Sequence, residues 1–125
     1  VKLINAMDIE QVREFCLEFS GATEEFPFDE VTLVFKVEGK IFLILPLDAD
    51  QPSVMVKCDP DLAVELREKY AGVVPGFHMN KRYWNTLYID RLETELVKSW
   101  ILHSYCEVIK KLPKYKQAPY SDYLR

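Results

Sequence analysis

Residues 33–45 of the chain read LVFKVEGKIFLIL, two runs of β-branched, aromatic and aliphatic residues separated by Glu38 and Gly39 alone. A two-residue loop that contains glycine accommodates the positive backbone angles of a primed turn, so the stretch predicts a β-hairpin. Both runs are apolar at nearly every position. We therefore expect helices or loops to cover one face of the hairpin and to cover the other face in part.

Ahead of the hairpin, a helix is predicted to follow Asp8, whose carboxylate can accept hydrogen bonds from the free amides of the first turn. Gln11 completes a capping box, and Gly21 supplies a residue that can turn left-handed after the helix. Residues 22–32 are predicted as a packed loop. Apolar residues at three-to-four spacing place one face of the helix toward a core, namely Ile9, Val12, Phe15, Cys16 and Phe19.

Beyond the hairpin, alternation predicts strands over residues 53–58, 73–78 and 84–89. A second helix is predicted after Asp59, with Pro60 at its first position. The last and longest helix begins between Asp90 and Thr94, and Pro113 stops it. The order is therefore helix, three strands, helix, two strands, helix. It predicts an α+β fold, an antiparallel sheet with helices packed on one face.

Length and composition predict a single domain. Since Pro113 stops the last helix, we expect this domain over residues 1–113 and a basic, tyrosine-rich C-terminal tail over residues 114–125. The 125 residues suffice for one hydrophobic core, and 49% apolar with 29% charged residues is ordinary for a soluble globular protein. The longest apolar run, residues 41–45, is far too short to cross a bilayer, and no signal peptide is evident. We expect a cytoplasmic protein with no membrane partner.

The residues that most often carry catalysis or bind metals are sparse. Cys16, Cys58 and Cys106 are widely spaced without a Cys-x-x-Cys pair, which predicts free thiols rather than disulfides or a zinc site. His78 has no recognisable nucleophile or carboxylate partner, and His103 shares a helical face only with Cys106. The four glycines stand singly rather than in a phosphate-binding loop. We therefore expect no enzymatic activity and no cofactor.

The net charge of -4 hides an uneven distribution along the chain. Residues 1–72 carry 7 Lys and Arg against 15 Asp and Glu, whereas residues 73–125 carry 9 against 5. The acidic sum argues against a partner made of phosphates, but binding depends more on the local potential. The simpler interpretation is that these charges are scattered over a solvated surface.

Residues 76–86, GFHMNKRYWNT, bring side chains of several chemistries together without a core-forming period. Here Lys81 and Arg82 can neutralise phosphates, two asparagines can bond base edges or sugar, and two aromatic rings offer a stacking face. Alternatively, the histidine and the asparagines hold an irregular turn while Trp84 lies in the core. The first interpretation predicts DNA contacts from His78, Asn80, Lys81, Arg82, Trp84 and Asn85.

The chain also resembles a known family, the MmcQ/YjbR family of small bacterial proteins, from about residue 8 to about residue 113. The residues that carry the resemblance are Phe26-Pro27-Phe28, the hairpin residues 33–40, Val56-Lys57-Cys58-Asp59-Pro60, Pro75-Gly76-Phe77-His78-Met79-Asn80-Lys81, Trp84-Asn85-Thr86 and His103-Ser104-Tyr105. The resemblance implies a CyaY-like, frataxin-type α+β fold in a double-wing arrangement. It also implies a DNA-binding role.

Together, the residues and the resemblance predict a small, non-enzymatic protein that binds double-stranded DNA weakly through the phosphate backbone. The basic loop around Lys81 and Arg82 forms the contact surface. Lys36, Lys40 and Lys57 extend that surface into a cationic groove if the sheet places them beside the loop.

Two alternative functions stay open. One is iron binding of the frataxin kind by the acidic residues of the first helix and the segment after it, namely Glu10, Glu14, Glu18, Glu24 and Glu25. The other is a protein-interaction module, in which the basic tail or an exposed sheet face binds a partner or a second copy of the chain.

Overall fold

A computed structural model describes residues 3–125, in which a six-stranded antiparallel sheet carries helices on one face. Along the chain the elements are α1 (Ile9–Leu17), β1 (Thr23–Glu25), β2 (Thr32–Val37), β3 (Lys40–Pro46), β4 (Ser53–Lys57), α2 (Pro60–Lys69), β5 (Val73–Pro75), β6 (Trp84–Tyr88), α3 (Thr94–Ile109) and α4 (Lys114–Gln117). The strands lie in the order β1-β2-β3-β4-β6-β5. The predicted α+β class is confirmed, and β1 and α4 are added to the predicted elements.

The turn between β2 and β3 has the backbone geometry that its sequence predicts. Glu38 has a φ of 51° and Gly39 a φ of 74°, the pair of positive angles that a type I′ turn requires. A residue near the end of the chain holds the same turn, because the Tyr120 hydroxyl donates a 2.6 Å hydrogen bond to the Glu38 carboxylate. The strongest local signal in the sequence therefore forms the predicted hairpin.

The starts of the first two helices also follow from local chemistry. At α1, the Asp8 carboxylate accepts from Gln11 N at 2.8 Å while Asp8 N donates to the Gln11 side chain at 2.9 Å, which confirms the capping box. Gly21, with a φ of 72°, turns the chain after α1. At α2, Asp59 caps two amides of the first turn and Pro60 occupies the first helical position.

The helices cover one face of the sheet, and we call the opposite one the open face. Cross-strand register separates the two: Val54 pairs with Leu87 in the core, whereas Met55 pairs with Thr86 on the open face. The expected partial cover of the open face is confirmed at Ile44, which is buried there. The largest fully buried side chains include Tyr105, Phe35, Phe42, Leu43, Leu45, Leu87, Ile89, Ile101 and Ile109.

The sheet is joined at its centre by a short seam between β3 and β4. Only two residue pairs form their ladder, after which the strands diverge. Ser104 of α3 bridges the gap, since its Oγ accepts a 2.8 Å hydrogen bond from Lys57 N and donates to Phe42 O. Three strands therefore lie on each side of a seam that a helix side chain completes.

The segment predicted as a tail, residues 114–125, packs on the same core as the rest of the chain. The Tyr120 side chain is 3% exposed and belongs to the core cluster. The Tyr123 ring lies edge-on to Tyr105 with 4.9 Å between ring centroids, and its hydroxyl accepts from Ser20 N at 3.3 Å. The boundary after residue 113 is therefore not a structural boundary.

Other departures from the predicted elements are local. Part of the predicted loop over residues 22–32 forms the edge strand β1, which is too short for sequence alternation to reveal. The predicted strand over residues 73–78 ends at Pro75, and α3 ends at Ile109 rather than at the residue before Pro113. No helix within residues 3–125 has the length and apolar character to cross a bilayer.

The hydrogen bond between Tyr120 and Glu38, together with burial, raises the pKa of the Tyr120 hydroxyl to about 12. In the unfolded chain a tyrosine ionises near pH ~10. The folded state therefore gains stability from neutral Tyr120 below pH ~10, and this stability is lost as the pH rises toward ~12. We expect the free energy of unfolding, measured by urea titration with circular dichroism, to fall less steeply over this interval in Tyr120→Phe.

The matched control for this alkaline test is Tyr115→Phe, since Tyr115 is 80% exposed. The control is expected to keep the wild-type pH dependence. Equal pH dependence in both variants would show that the bond to Glu38 does not control the ionisation of Tyr120.

Candidate functional site

The loop over residues 76–83 joins β5 to β6 and contains four of the residues predicted to contact DNA. His78 is exposed and has a φ of 64°, which is uncommon for a residue other than glycine. The Asn80 side chain accepts from Arg82 N at 3.0 Å, and Asn80 O accepts from Tyr83 N at 3.0 Å. Asn80 therefore orders the loop, and it leaves the cationic side chains of Lys81 and Arg82 at the surface.

The prediction of a DNA contact by Asn85 is corrected by its position in the interior. The side chain is fully buried; its Oδ1 accepts from Arg67 Nε at 2.6 Å and its Nδ2 donates to Ala63 O at 3.3 Å. Arg67 also donates to Lys81 O. Asn85 thus ties α2 to the loop, as the alternative interpretation of these residues proposed.

Trp84 lies at the start of β6 and is 8% exposed, so little of its ring is available for stacking. Its backbone lies against Gly76, where an added Cβ would be 2.8 Å from the Trp84 Cβ and 3.1 Å from its carbonyl carbon. Only glycine permits this close approach between β5 and β6. Trp84 is paired with Lys57 in the ladder of β4 and β6, which places both at the end of the open face where the seam opens.

A cavity of about 420 Å³ occupies this end, and we call it the lysine groove. It is lined by residues from β3 and the turn before it, β4, the loop over residues 76–83, β6, α3 and the turn after α3, namely Gly39, Lys40, Ile41, Lys57, Met79, Trp84, Val108, Lys111 and Leu112. The floor is apolar, and the three charged residues are all lysines. The groove is therefore concave and cationic within a chain of net negative charge.

The charges of the other two groove lysines act on Lys57. Partial burial lowers the pKa of Lys57, and the charges of Lys111 and Lys40 lower it further, whereas Glu107 opposes them. The buried carboxylate of Glu107 forms an ion pair with Lys110 instead. Within residues 3–125, none of the three groove lysines forms an ion pair with a carboxylate. A bound anion would therefore relieve an unfavourable cluster of like charges.

The structure does not bring Lys36 into this groove. Lys36 forms an ion pair with Glu25 of the neighbouring strand β1. Its charge is neutralised locally, so the prediction that Lys36 extends the DNA surface is corrected. Lys40 and Lys57, which the same interpretation named, do line the groove.

A second cavity of about 400 Å³ lies over the centre of the open face, and we call it the aromatic groove. Its lining includes two half-exposed phenylalanines, Phe28 at 66% and Phe77 at 52% exposed. The other lining residues are Asp29, Thr32, Ile44, Pro46, Met55, His78 and Met79. Met79 lines both grooves, so the aromatic groove on the open face and the lysine groove at the end of the sheet are neighbours.

The acidic residues proposed for iron binding are partly engaged elsewhere. Glu24 forms a two-point contact with Arg13, at 2.7 Å to Nε and 2.5 Å to NH2, and Glu25 pairs with Lys36. Among residues 3–125 there is no group of three or more His, Cys, Asp or Glu side chains placed to hold a metal ion. The described residues of α1 and of the segment after it therefore form no preformed metal-binding site.

Cys58 and His103 have environments that favour a structural role over a catalytic one. Burial raises the pKa of Cys58 to about 12, so its thiol is not a thiolate nucleophile at neutral pH. The ring of His103 is held neutral by burial, which lowers its pKa, and its Nε2 accepts from Asp59 N at 3.1 Å. These groups support the packing of α3 on the sheet.

Comparison with known proteins shows the family to which the chain belongs. Residues 17–107 match the sequence model of the family described as YjbR. The chain belongs to the YjbR family. The protein YjbR of Escherichia coli K12 is 30% identical over 112 residues, which cover 89% of this chain and 95% of that protein. The resemblance predicted from the sequence motifs is therefore confirmed.

Two further YjbR-family comparisons extend the match. YbdF of Escherichia coli O157:H7 is 29% identical over 109 residues, covering 86% of this chain and 89% of that protein. The crystal structure of Deinococcus radiodurans DR2400, which carries the domain DUF419, superposes with a TM-score of 0.83 at 29% identity. That alignment covers 94% of this chain and 88% of DR2400, so the fold is shared over nearly its whole length.

Several motif residues of this YjbR-family chain build the framework around the groove. His103 supports the start of α2 and Ser104 completes the seam. The Tyr105 hydroxyl donates to Ser20 O at 2.6 Å, which fixes the turn after α1. Lys111, by contrast, is not among the site residues predicted from the sequence. No local sequence pattern predicts that Lys111 lies in the groove, because the packing of α3 on the sheet brings it close to Lys57.

Proposed function

We propose that this YjbR-family protein binds DNA without catalysis, through phosphate contacts at the lysine groove. The observation that carries the proposal is the convergence of Lys40, Lys57 and Lys111, from β3, β4 and the turn after α3, on one concave surface without a carboxylate partner among residues 3–125. Clustered lysines repel one another, and phosphate oxygens offset that repulsion.

The neighbouring loop extends the proposed surface. Met79 is part of the groove lining, and Lys81 and Arg82 follow it on the exposed part of the loop. Five cations thus contribute a local positive potential, which is what attracts a polyanion to a protein of net charge -4. Asn80 acts in the proposal by ordering the loop rather than by reading bases.

The two halves of the sheet on either side of the seam correspond in this proposal to the double wing that the family resemblance implies. The lysine groove lies where the two halves separate, with Lys40 on one side and Lys57 on the other. Binding of this kind reads the backbone rather than the sequence. It also requires the protein to act in the cytoplasm, where DNA is accessible to it.

The test is fluorescence anisotropy of labelled DNA at several salt concentrations with the variant Lys40→Gln/Lys57→Gln/Lys111→Gln. Each phosphate contact contributes a slope of about 0.7–0.9 to the plot of log affinity against log salt. We expect the slope of the variant to be shallower by about 2–3 and its affinity at low salt to fall at least about tenfold, because three contacts are lost.

A charge-matched control separates the groove from the net charge. The variant Lys69→Gln/Arg91→Gln/Lys98→Gln removes the same number of positive charges from residues that line neither groove. We expect the control to keep most of the wild-type slope. The proposal is wrong if both triple variants lose the same slope, or if the wild-type protein does not bind DNA at low salt.

A further inference from the structure

The lysine groove and the aromatic groove are neighbouring cavities with different chemistry. Met79 lines both cavities, so a chain-like ligand that occupies one groove passes beside the other. The lysine groove supplies three cations over an apolar floor. The aromatic groove supplies two phenylalanine rings over Ile44 and Met55. A ligand that suits both halves carries negative charge at one end and a flat apolar surface at the other.

The rings of Phe28 and Phe77 are largely exposed to solvent and are not part of the packed core. Phe28 and Phe77 come from different loops and are 66% and 52% exposed, yet they line the same cavity. Large apolar side chains of this kind contribute little to the core and remain available for contact. Exposed rings beside a cationic groove are the combination that proteins use to bind unpaired nucleotides.

The one carboxylate that lines the aromatic groove determines which part of the ligand binds there. Asp29 accepts hydrogen bonds from Val31 N at 2.9 Å, Thr32 N at 2.6 Å and Thr32 Oγ1 at 3.0 Å. These bonds lower the pKa of Asp29, so its carboxylate stays ionised. A phosphate is repelled from this groove, whereas an uncharged base is not. The phosphates therefore lie at the lysine end.

Duplex DNA would contact only part of this surface. Its bases are stacked inside the helix, so a backbone-binding protein meets phosphate and sugar and gains nothing from exposed rings over an apolar cavity. A single strand presents base faces and phosphates together. Each groove, at about 400 Å³ or slightly more, has the size range of a small-ligand site rather than of a flat duplex contact.

We propose that the DNA bound by this protein is single-stranded, with unpaired bases against Phe28 and Phe77 in the aromatic groove and the adjoining phosphates among Lys40, Lys57 and Lys111. This inference rests on the proposed function and adds the form of DNA that the site accepts. It revises the expectation from the sequence, which was double-stranded DNA.

The test compares a labelled single strand of about 12 nucleotides, within the range that one binding domain covers, with a duplex of the same sequence. We expect the single strand to bind more tightly. In Phe28→Ala/Phe77→Ala, single-strand affinity is expected to fall at least about fivefold, because one stacked base or more is lost. The salt slope should not change, since the lysines remain.

The matched control is Phe26→Ala/Tyr115→Ala, which removes two other exposed aromatic rings outside both grooves. It should bind the single strand as the wild type does. Thermal unfolding by circular dichroism confirms that both double variants fold, which is expected because all four rings are largely exposed.

Three results overturn this inference in different ways. If duplex and single strand bind equally and the phenylalanine variant binds both normally, the single-strand inference fails while the proposed function stands. If neither form binds, the proposed function itself fails. If sedimentation shows a wild-type dimer that Phe28→Ala/Phe77→Ala abolishes, the aromatic groove is a surface for a second copy of the chain.

Discussion

Deletion of residues 114–125 is expected to lower the free energy of unfolding by at least about 5 kcal/mol and to leave the protein unfolded at 37 °C. The reason is that this segment contributes Tyr120, Tyr123 and Leu124 to the core cluster or to its edge. Truncating one buried aromatic side chain already costs about 3–5 kcal/mol. The whole stability of a domain is only ~5–15 kcal/mol.

The single substitution Tyr120→Ala isolates the main contribution and is expected to cost about 3–5 kcal/mol in urea unfolding followed by circular dichroism. Tyr115→Ala, in the same segment, is the control, since Tyr115 is 80% exposed and its loss should change stability by less than about 0.5 kcal/mol. A truncated protein with wild-type stability would show that the segment is only loosely attached.

Ser104→Ala is expected to lower the free energy of unfolding by about 2–6 kcal/mol, because two backbone groups at the seam lose their partner. Lys57 N and Phe42 O both bond to the Ser104 hydroxyl, which is fully buried. The strands diverge at this point and cannot pair with each other instead. Leaving a buried donor or acceptor unsatisfied costs about 1–3 kcal/mol for each group.

The control for the seam is Ser99→Ala, on the same helix, whose hydroxyl bonds only to Leu96 O and is exposed. Its change in unfolding free energy, measured under the same conditions, should stay within about 0.5 kcal/mol. Ser104→Ala should also weaken DNA binding in the proposed function, because the seam positions Lys57 in the lysine groove. Equal stability of the two variants would mean that water replaces the hydroxyl at no cost.

The seam connects the fold to the candidate site. A continuous ladder between β3 and β4 would close the space in which the groove lies. Because Ser104 satisfies the backbone where the ladder stops, the strands can separate without leaving polar groups unpaired. The same separation admits the end of α3 and with it Lys111. The separation of β3 from β4 at Ser104 therefore explains both the division of the sheet and the convergence of the lysines.

Features that depend on neighbours along the chain could be predicted from the amino-acid sequence. The turn at Glu38 and Gly39 formed as predicted because its backbone angles are a property of those two residues. The caps at Asp8 and Asp59 formed because a carboxylate and the amides of the next turn are close in sequence. The position of the basic loop between two strands followed from alternation in the same way.

Which residues meet at the site depends on long-range packing and could not be predicted from the sequence. Lys111 lies with Lys40 and Lys57 because α3 packs across the sheet. The spacing of the three lysines along the chain does not predict that they meet. Asn85 looked like a surface residue within a polar stretch, yet the packing of α2 buries it. Long-range packing sets side-chain exposure and the pairing of charges. The lysine groove is therefore a property of the fold, although each of its lysines is visible in the sequence.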